Sequence, residues 1–155
     1  MKTMRLVHAA ACATLLACSP ALGAELEAVN ETAPSLYDRL GAWDGIHRIV
    51  SDTVALHESN PAIRHYFRSI DRKRLIASVT AFFAAGSGGP DCYKGRDMTT
   101  AHAHMGLTPA DFDAAVSDVM NALAQNAVGQ REQDEVRAIL LSLKDPVLGT
   151  ATAAQ

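Results

Sequence analysis

Gly88-Gly89-Pro90, followed by Tyr93-Lys94-Gly95-Arg96-Asp97-Met98-Thr99-Thr100-Ala101-His102-Ala103-His104-Met105-Gly106-Leu107, decides how this 155-residue chain reads. Asp97 stands where a carboxylate can accept from the free N–H groups of a first helical turn, and Gly106 stands where a helix stops. Residues 98–105 are therefore expected to form a helix of about two turns. At 3.6 residues per turn Met98, Ala101, His102 and Met105 share one face, and Asp97, Thr100 and His104 share the other. Residues two apart lie roughly 200° around the axis, so the two histidines cannot serve one metal from this helix. His102, on the apolar face, is the candidate metal ligand, and His104 faces solvent.

The flanking sequence is helical throughout. Ile46, Ile49, Val50, Thr53, Val54 and His57 recur at steps of three and four, the stripe of an amphipathic helix. Asn60 breaks it, and Asn60-Pro61 suits a cap followed by proline at the first position of a short turn bearing Tyr66 and Phe67. After Asp71 a helix begins whose apolar face is Leu75, Val79, Phe82 and Phe83, with Arg72, Lys73 and Arg74 at its solvated start. Gly86 and the glycine pair end it. Thr108-Pro109-Ala110-Asp111 is a capping signal that opens a helix with Phe112, Val116, Val119, Met120 and Leu123 inward. A last helix runs from about 131 to 144, with Val136, Ile139, Leu140 and Leu143 spaced for burial and Asp145-Pro146 as its stop. No segment alternates like a strand, so the fold class is all-α, with four principal helices and one short ligand-bearing segment.

A net charge of −3 and 48% hydrophobic residues fit one globular domain rather than a nucleic-acid binder. Residues 1–23 read as an export signal: Lys2 and Arg5 precede an apolar core over 6–17 that is too short to span a bilayer. Two processing readings stand, and the mass of the mature N-terminus distinguishes them. Leu15-Leu16-Ala17-Cys18 resembles a bacterial lipobox, which would place a lipid anchor on Cys18. A small-residue site near Ala21-Leu22-Gly23 or Ala24 would release a soluble periplasmic protein. Residues 24–34 form a spacer, 35–148 the domain and 149–155 a tail. Cys12 departs with the signal and Cys18 is lipidated or lost, so Cys92 has no intramolecular partner.

The glycine pair, the Tyr93-x-Gly95-x-x-Met98 segment and Ala101-His102 are together similar to the motif of truncated haemoglobins, and closest to their group I. The likeness extends upstream through Ser35-Leu36-Tyr37-Asp38-Arg39-Leu40-Gly41, Ile46, Pro61, Tyr66-Phe67, Arg74-Leu75 and Phe82-Phe83-Ala84-Ala85. Downstream it includes Gly106-Leu107-Thr108 and Phe112. The resemblance implies a two-over-two helical sandwich around haem, with His102 as the proximal iron ligand. It places Phe67 against the distal face of the haem. Leu75 and Val79, with Ser78 between them, overlook a bound gas, and Val54 occupies the position where many group I members carry a ligand-contacting tyrosine. Met98 belongs to the haem-bearing motif. Tyr93 is a propionate partner or a packing residue, and Lys94 and Arg96 pair with propionates or are solvated loop charges.

The resemblance implies that the partner is a diatomic gas: oxygen, carbon monoxide or nitric oxide. An unidentified electron donor would keep the iron ferrous, since nothing in the chain encodes a reductase. Val54, Leu75 and Val79 are apolar where a hydrogen-bond donor to oxygen is expected, and Thr53 and Ser78 are the nearest polar candidates. A hydrogen bond to a charged acceptor contributes about 1.5 to 3 kcal/mol, so its absence weakens oxygen retention by roughly 10 to 100-fold. Beside a helical envelope lipoprotein that has lost haem and acts through its surface, two other readings remain open. One is a nitric oxide dioxygenase or peroxidase-type activity. The other is a six-coordinate haem carrier or redox protein whose second ligand comes from His47, His57 or His65, each otherwise a surface or helix-edge residue.

Overall fold

A computed structural model describes residues 33–150. The expected export signal, its lipobox-like stretch and most of the expected spacer lie outside the described residues, as does most of the expected tail. The described residues hold seven α-helices, one 3-10 turn and no strand. Two helix pairs make the body. Helix α2 (Ala42–Ser59) lies against α3 (Arg72–Gly86), and α5 (Pro109–Gln125) lies against α6 (Gln130–Ser142). The pairs meet where α2 packs on α5, which gives the two-over-two arrangement. At that junction Ile46, Ile49, Val50 and Val54 of α2 meet Phe112, Val116, Met120 and Leu123 of α5, all buried in one cluster. Each fully buried aliphatic side chain contributes about 1.5–3 kcal/mol, so this junction is where most of the domain's stability arises.

The helix starts follow from local chemistry. Asp71 accepts from the backbone N–H of Arg74 at 3.1 Å to open α3. Thr108 and Asp111 form a reciprocal capping box on α5, with Pro109 in the first turn, where its missing N–H costs nothing. A further short helix, α1 (Leu36–Arg39), was not apparent from periodicity because four residues carry no period. Its Arg39 reaches Glu132 and Glu135 of α6, each at 2.5 Å, and so fastens the start of the domain to its far pair. The motif glycine Gly89 is needed for close approach: a Cβ there would run into the ring of Tyr37.

Two boundaries differ from expectation. Asn60 is not one of them: it ends α2 and opens the following turn, its carbonyl accepting from the N–H groups of Ile63 and Arg64 at 3.2 and 2.8 Å and its Oδ1 from that of Ala62 at 3.1 Å. Asp145-Pro146 does not stop the last helix. The break falls at Leu143, and α7 (Lys144–Leu148) continues with Pro146 in its first turn, where no helical N–H partner is required. The segment over 98–105 is shorter than two turns. Helix α4 (Met98–His102) ends at His102, because a second turn would leave only Gly106 and Leu107 to redirect the chain into the Thr108 cap.

Candidate functional site

Helix α4 begins as expected. The Asp97 carboxylate accepts from the Thr100 N–H at 2.9 Å and the Thr100 hydroxyl at 2.7 Å, and these bonds hold its pKa below the ordinary carboxylate value. After His102 the chain turns sharply: Ala103 is extended and His104 has φ of 68°, in the left-handed region. Met98, Ala101, His102 and Met105 are half-buried, whereas Asp97, Thr100 and His104 are exposed, so the expected division of faces survives the early helix end. His104 is nevertheless not carried to the opposite side. Both histidines open on one depression of about 340 Å³ between α4 and α7, lined also by Leu107, Val147 and Leu148. The 200° phase applies only within a helix, and His104 lies beyond its end.

His102 is oriented by its own helix. Its Nδ1 lies 2.9 Å from the carbonyl oxygen of Met98. A carbonyl only accepts, so Nδ1 carries the proton and Nε2 is left with a lone pair. A histidine held in this tautomer by a backbone carbonyl is ready to ligate a metal through Nε2. Among the described residues no protein group bonds to Nε2, and no cluster of three or more metal-binding side chains competes for an ion.

Helix α3 has two apolar faces. Thr80, Ala81 and Ala84 are buried, on the side that packs on α2. Leu75, Val79 and Phe82 lie around the opposite side of the helix and are only half-buried. Helix α3 packs on α2 and α4 packs on α7, with no extensive packing between α3 and α4. Leu75 and Val79 rest against the core cluster and Phe82 meets the Tyr93 ring edge-on. Half-buried apolar side chains of this kind, together with an imidazole whose Nε2 is free, suit a flat apolar ring carrying a metal. The chain's residues therefore fit haem. Of the remaining gas-pocket candidates, Thr53 and Val54 are buried on α2 and Ser78 is half-buried on α3.

Phe67 sits at the end of the 3-10 turn (Arg64–Phe67), half-buried. Its ring stacks on the imidazole of His57, with centroids 5.2 Å apart and planes 29° apart. His57 is not a surface residue. Its Nδ1 lies 2.9 Å from Asp118 Oδ2, and Asn60 Nδ2 donates to both Asp118 oxygens at 3.1 and 3.0 Å. Asp118, only 7% exposed in the middle of α5, thus finds two partners on the end of α2. Sequence reading missed this cluster because nothing local links Asp118 to residues about 60 positions earlier. Next to Phe67, the Tyr66 hydroxyl donates to Asp111 Oδ2 at 3.1 Å, joining the turn to the residue that caps α5. Burial and this bond raise the Tyr66 pKa, while the bonds from Thr108 lead in lowering that of Asp111.

The other histidines have ordinary surroundings. His47 is exposed, its Nδ1 3.5 Å from the Thr80 hydroxyl, and His65 is exposed against the Tyr66 ring. At the loop before α4, the Tyr93 hydroxyl donates to the Arg96 carbonyl at 2.6 Å and its ring meets Phe82 edge-on at 5.2 Å, which favours packing over a propionate bond. A Cβ on Gly95 would strike that ring, which explains the glycine of the motif. Lys94 and Arg96 are exposed and have no ion-pair partner among the described residues, and Cys92 is an exposed thiol.

Comparison with known proteins places this geometry. Residues 35–148 match the model of the bacterial-like globin family. A group 1 truncated hemoglobin of Synechocystis is 29% identical over 109 residues, which cover 68% of this chain and 88% of that one. A group 1 truncated hemoglobin of Tetrahymena pyriformis is 25% identical over 74% of this chain and 95% of its own. The crystal structure of the latter in its Fe(III) form superimposes with a TM-score of 0.72, covering 74% of this chain and 98% of that one at 24% identity. The 2/2 hemoglobin of Synechococcus, solved in the cyanomet state with covalently attached heme, superimposes at 0.71 with 27% identity, covering 75% of this chain and 99% of that one.

Proposed function

The chain belongs to the bacterial-like globin family, among its group I truncated haemoglobins, and on that premise we propose that it binds a diatomic gas at haem iron held by His102. Haem supplies an iron with one coordination position for the protein and one for the gas. The observation that carries the proposal is the bond from His102 Nδ1 to the Met98 carbonyl, which leaves Nε2 as the ligating atom. Leu75, Val79 and Phe82 offer the apolar wall of the slot, and Phe67, steadied by His57, offers an aromatic face beside it. These side chains exclude water from the gas position, which protects ferrous iron from oxidation.

The same side chains define which gas is retained. Val54, Leu75 and Val79 have no hydrogen-bond donor, so oxygen, which gains from a donor, is held weakly, while carbon monoxide loses less. The expected protein is therefore a gas binder with fast oxygen release rather than an oxygen store. Absorption spectra of the haem-loaded protein in ferric, ferrous and carbon monoxide forms provide the test. His102→Ala is expected to abolish the histidine-ligated ferrous spectrum and to lower haem retention. A variant spectrum identical to wild type would overturn the assignment of His102, and a wild-type ferrous spectrum already six-coordinate without gas would overturn the open gas position.

A further inference from the structure

We propose that the corner formed by the 3-10 turn and the start of α3 is the docking surface for an acidic one-electron carrier protein that reduces the haem iron. The proposal rests on the haem reading above and adds to it the partner and the place where it binds. Arg64, Arg68, Arg72, Lys73 and Arg74 set five cations against one carboxylate, Asp71, within residues 64–74. That segment carries +4 in a chain of net −3, so the remainder carries −7. The overall negative charge conceals a strongly basic segment. All five cationic side chains are exposed, and among the described residues only Arg72 has an ion-pair partner, Glu58 at 3.5 Å.

Folding does not account for this clustering. Three of the cations occupy the first turn of α3, which holds no acidic residue, and there they oppose the positive end of the helix dipole. In the midst of them Ile70 is 42% exposed, one of the few large apolar side chains left in solvent. One apolar contact ringed by arginines is the anatomy of a protein interface, and four of the five cations are arginines, which grip carboxylates with two parallel bonds. A lipid surface would require a broad apolar helix face, and a single isoleucine does not supply one. The position suits electron delivery: Arg68 directly follows Phe67 and Arg74 directly precedes Leu75, so two of the cations stand one residue from side chains of the proposed distal pocket.

The chemistry is a single electron transfer. The carrier, a flavin or iron–sulfur protein, is oxidised by one electron and ferric haem iron is reduced to ferrous, with no bond made or broken. Because association is steered by charge, its rate depends on the basic corner and falls with salt.

Reduced plant-type ferredoxin, an acidic one-electron carrier, serves as probe. Stopped-flow reduction of the ferric holoprotein is measured across ionic strengths, and titration calorimetry with oxidised ferredoxin measures docking without turnover. The charge reversal Arg64→Glu/Arg68→Glu/Arg74→Glu is expected to slow reduction at low salt by about 10-fold or more and to flatten its salt dependence. It should also abolish the calorimetric signal while leaving the ferrous–carbon monoxide spectrum intact. Ile70→Ser should weaken docking with the salt slope unchanged. Equal rates and equal binding for wild type and charge reversal, in a protein with a normal haem spectrum, would overturn the docking surface alone. Binding of the corner to phosphatidylglycerol vesicles, with no loss of ferredoxin binding on reversal, would also overturn it in favour of a membrane. A protein that takes up no haem would overturn both this proposal and the one it rests on.

Discussion

The corner that carries Phe67 is held by side chains from three elements, whereas the segment that carries His102 is held mainly by its own backbone. At the corner, His57 and Asn60 from the end of α2 converge on Asp118 of α5, Phe67 stacks on His57, and Tyr66 reaches Asp111. On the other side, five residues of helix are fixed by one cap and by packing on the equally short α7, and no side chain from 97 to 107 is fully buried. On the proposed reading, the contrast teaches that the two walls of the haem slot have different origins. The distal wall is tied to the protein's core. The proximal wall is a local structure with few buried contacts, the kind that opens at low cost and gains most from a bound cofactor.

The largest test of this contrast is at Asp118. Asp118→Ala leaves His57 and Asn60 without their shared acceptor in a buried site, and a loss of about 3 kcal/mol in global stability is expected in denaturant titrations. A loss within about 0.5 kcal/mol, the range of ordinary surface substitutions, would show that packing alone holds the corner. Next comes the gas pocket itself. Val54→Tyr places a hydroxyl donor at a buried position on α2, and oxygen dissociation should slow by roughly 10 to 100-fold. An unchanged rate would mean that another group, with Thr53 and Ser78 the first to examine, already donates.

The smallest expected effect concerns acid. The Asp97 pKa is depressed by the Thr100 bonds, so its cap is fully formed above the unfolded-state value of about 3.9 and is lost as pH falls through the lower folded value. Hydrogen exchange at residues 98–102 should therefore accelerate below about pH 4, before the corner around Phe67 loosens. Asp97→Asn keeps a capping side chain without a titrating charge and should remove this acid step. Simultaneous loosening of both regions would contradict their separate origins.

Much of the site was legible in the chain. Asp97, Thr108 and Asp71 announce their helices because capping depends on residues three apart, and the stripe from Ile46 to His57 declares a buried face for the same local reason. Helical phase singled out His102 and their burial agrees, although His104 proves to lie beyond the helix end, where phase no longer applies. Where reading by phase failed was at the end of α4, since a helix stops where the following chain must turn, and that depends on where α5 lies. Pro146 misled similarly: proline ends a helix from within but fits a first turn, and only the break at Leu143 determines which applies.

The sequence by itself determined the all-helical class, the capped helix starts and the family motif, and it singled out His102 as the candidate ligand, all of which rest on residues within one or two turns of each other. Tertiary structure alone decided that His57 belongs to Asp118 rather than to solvent. It also decided that His104 opens on the same depression as His102, and that Leu75 and Val79 of α3 stay half-buried at the edge of the core cluster. These depend on which distant surfaces are pressed together, and hydrophobic burial, the force that presses them, carries no record in local sequence of which partner it will meet.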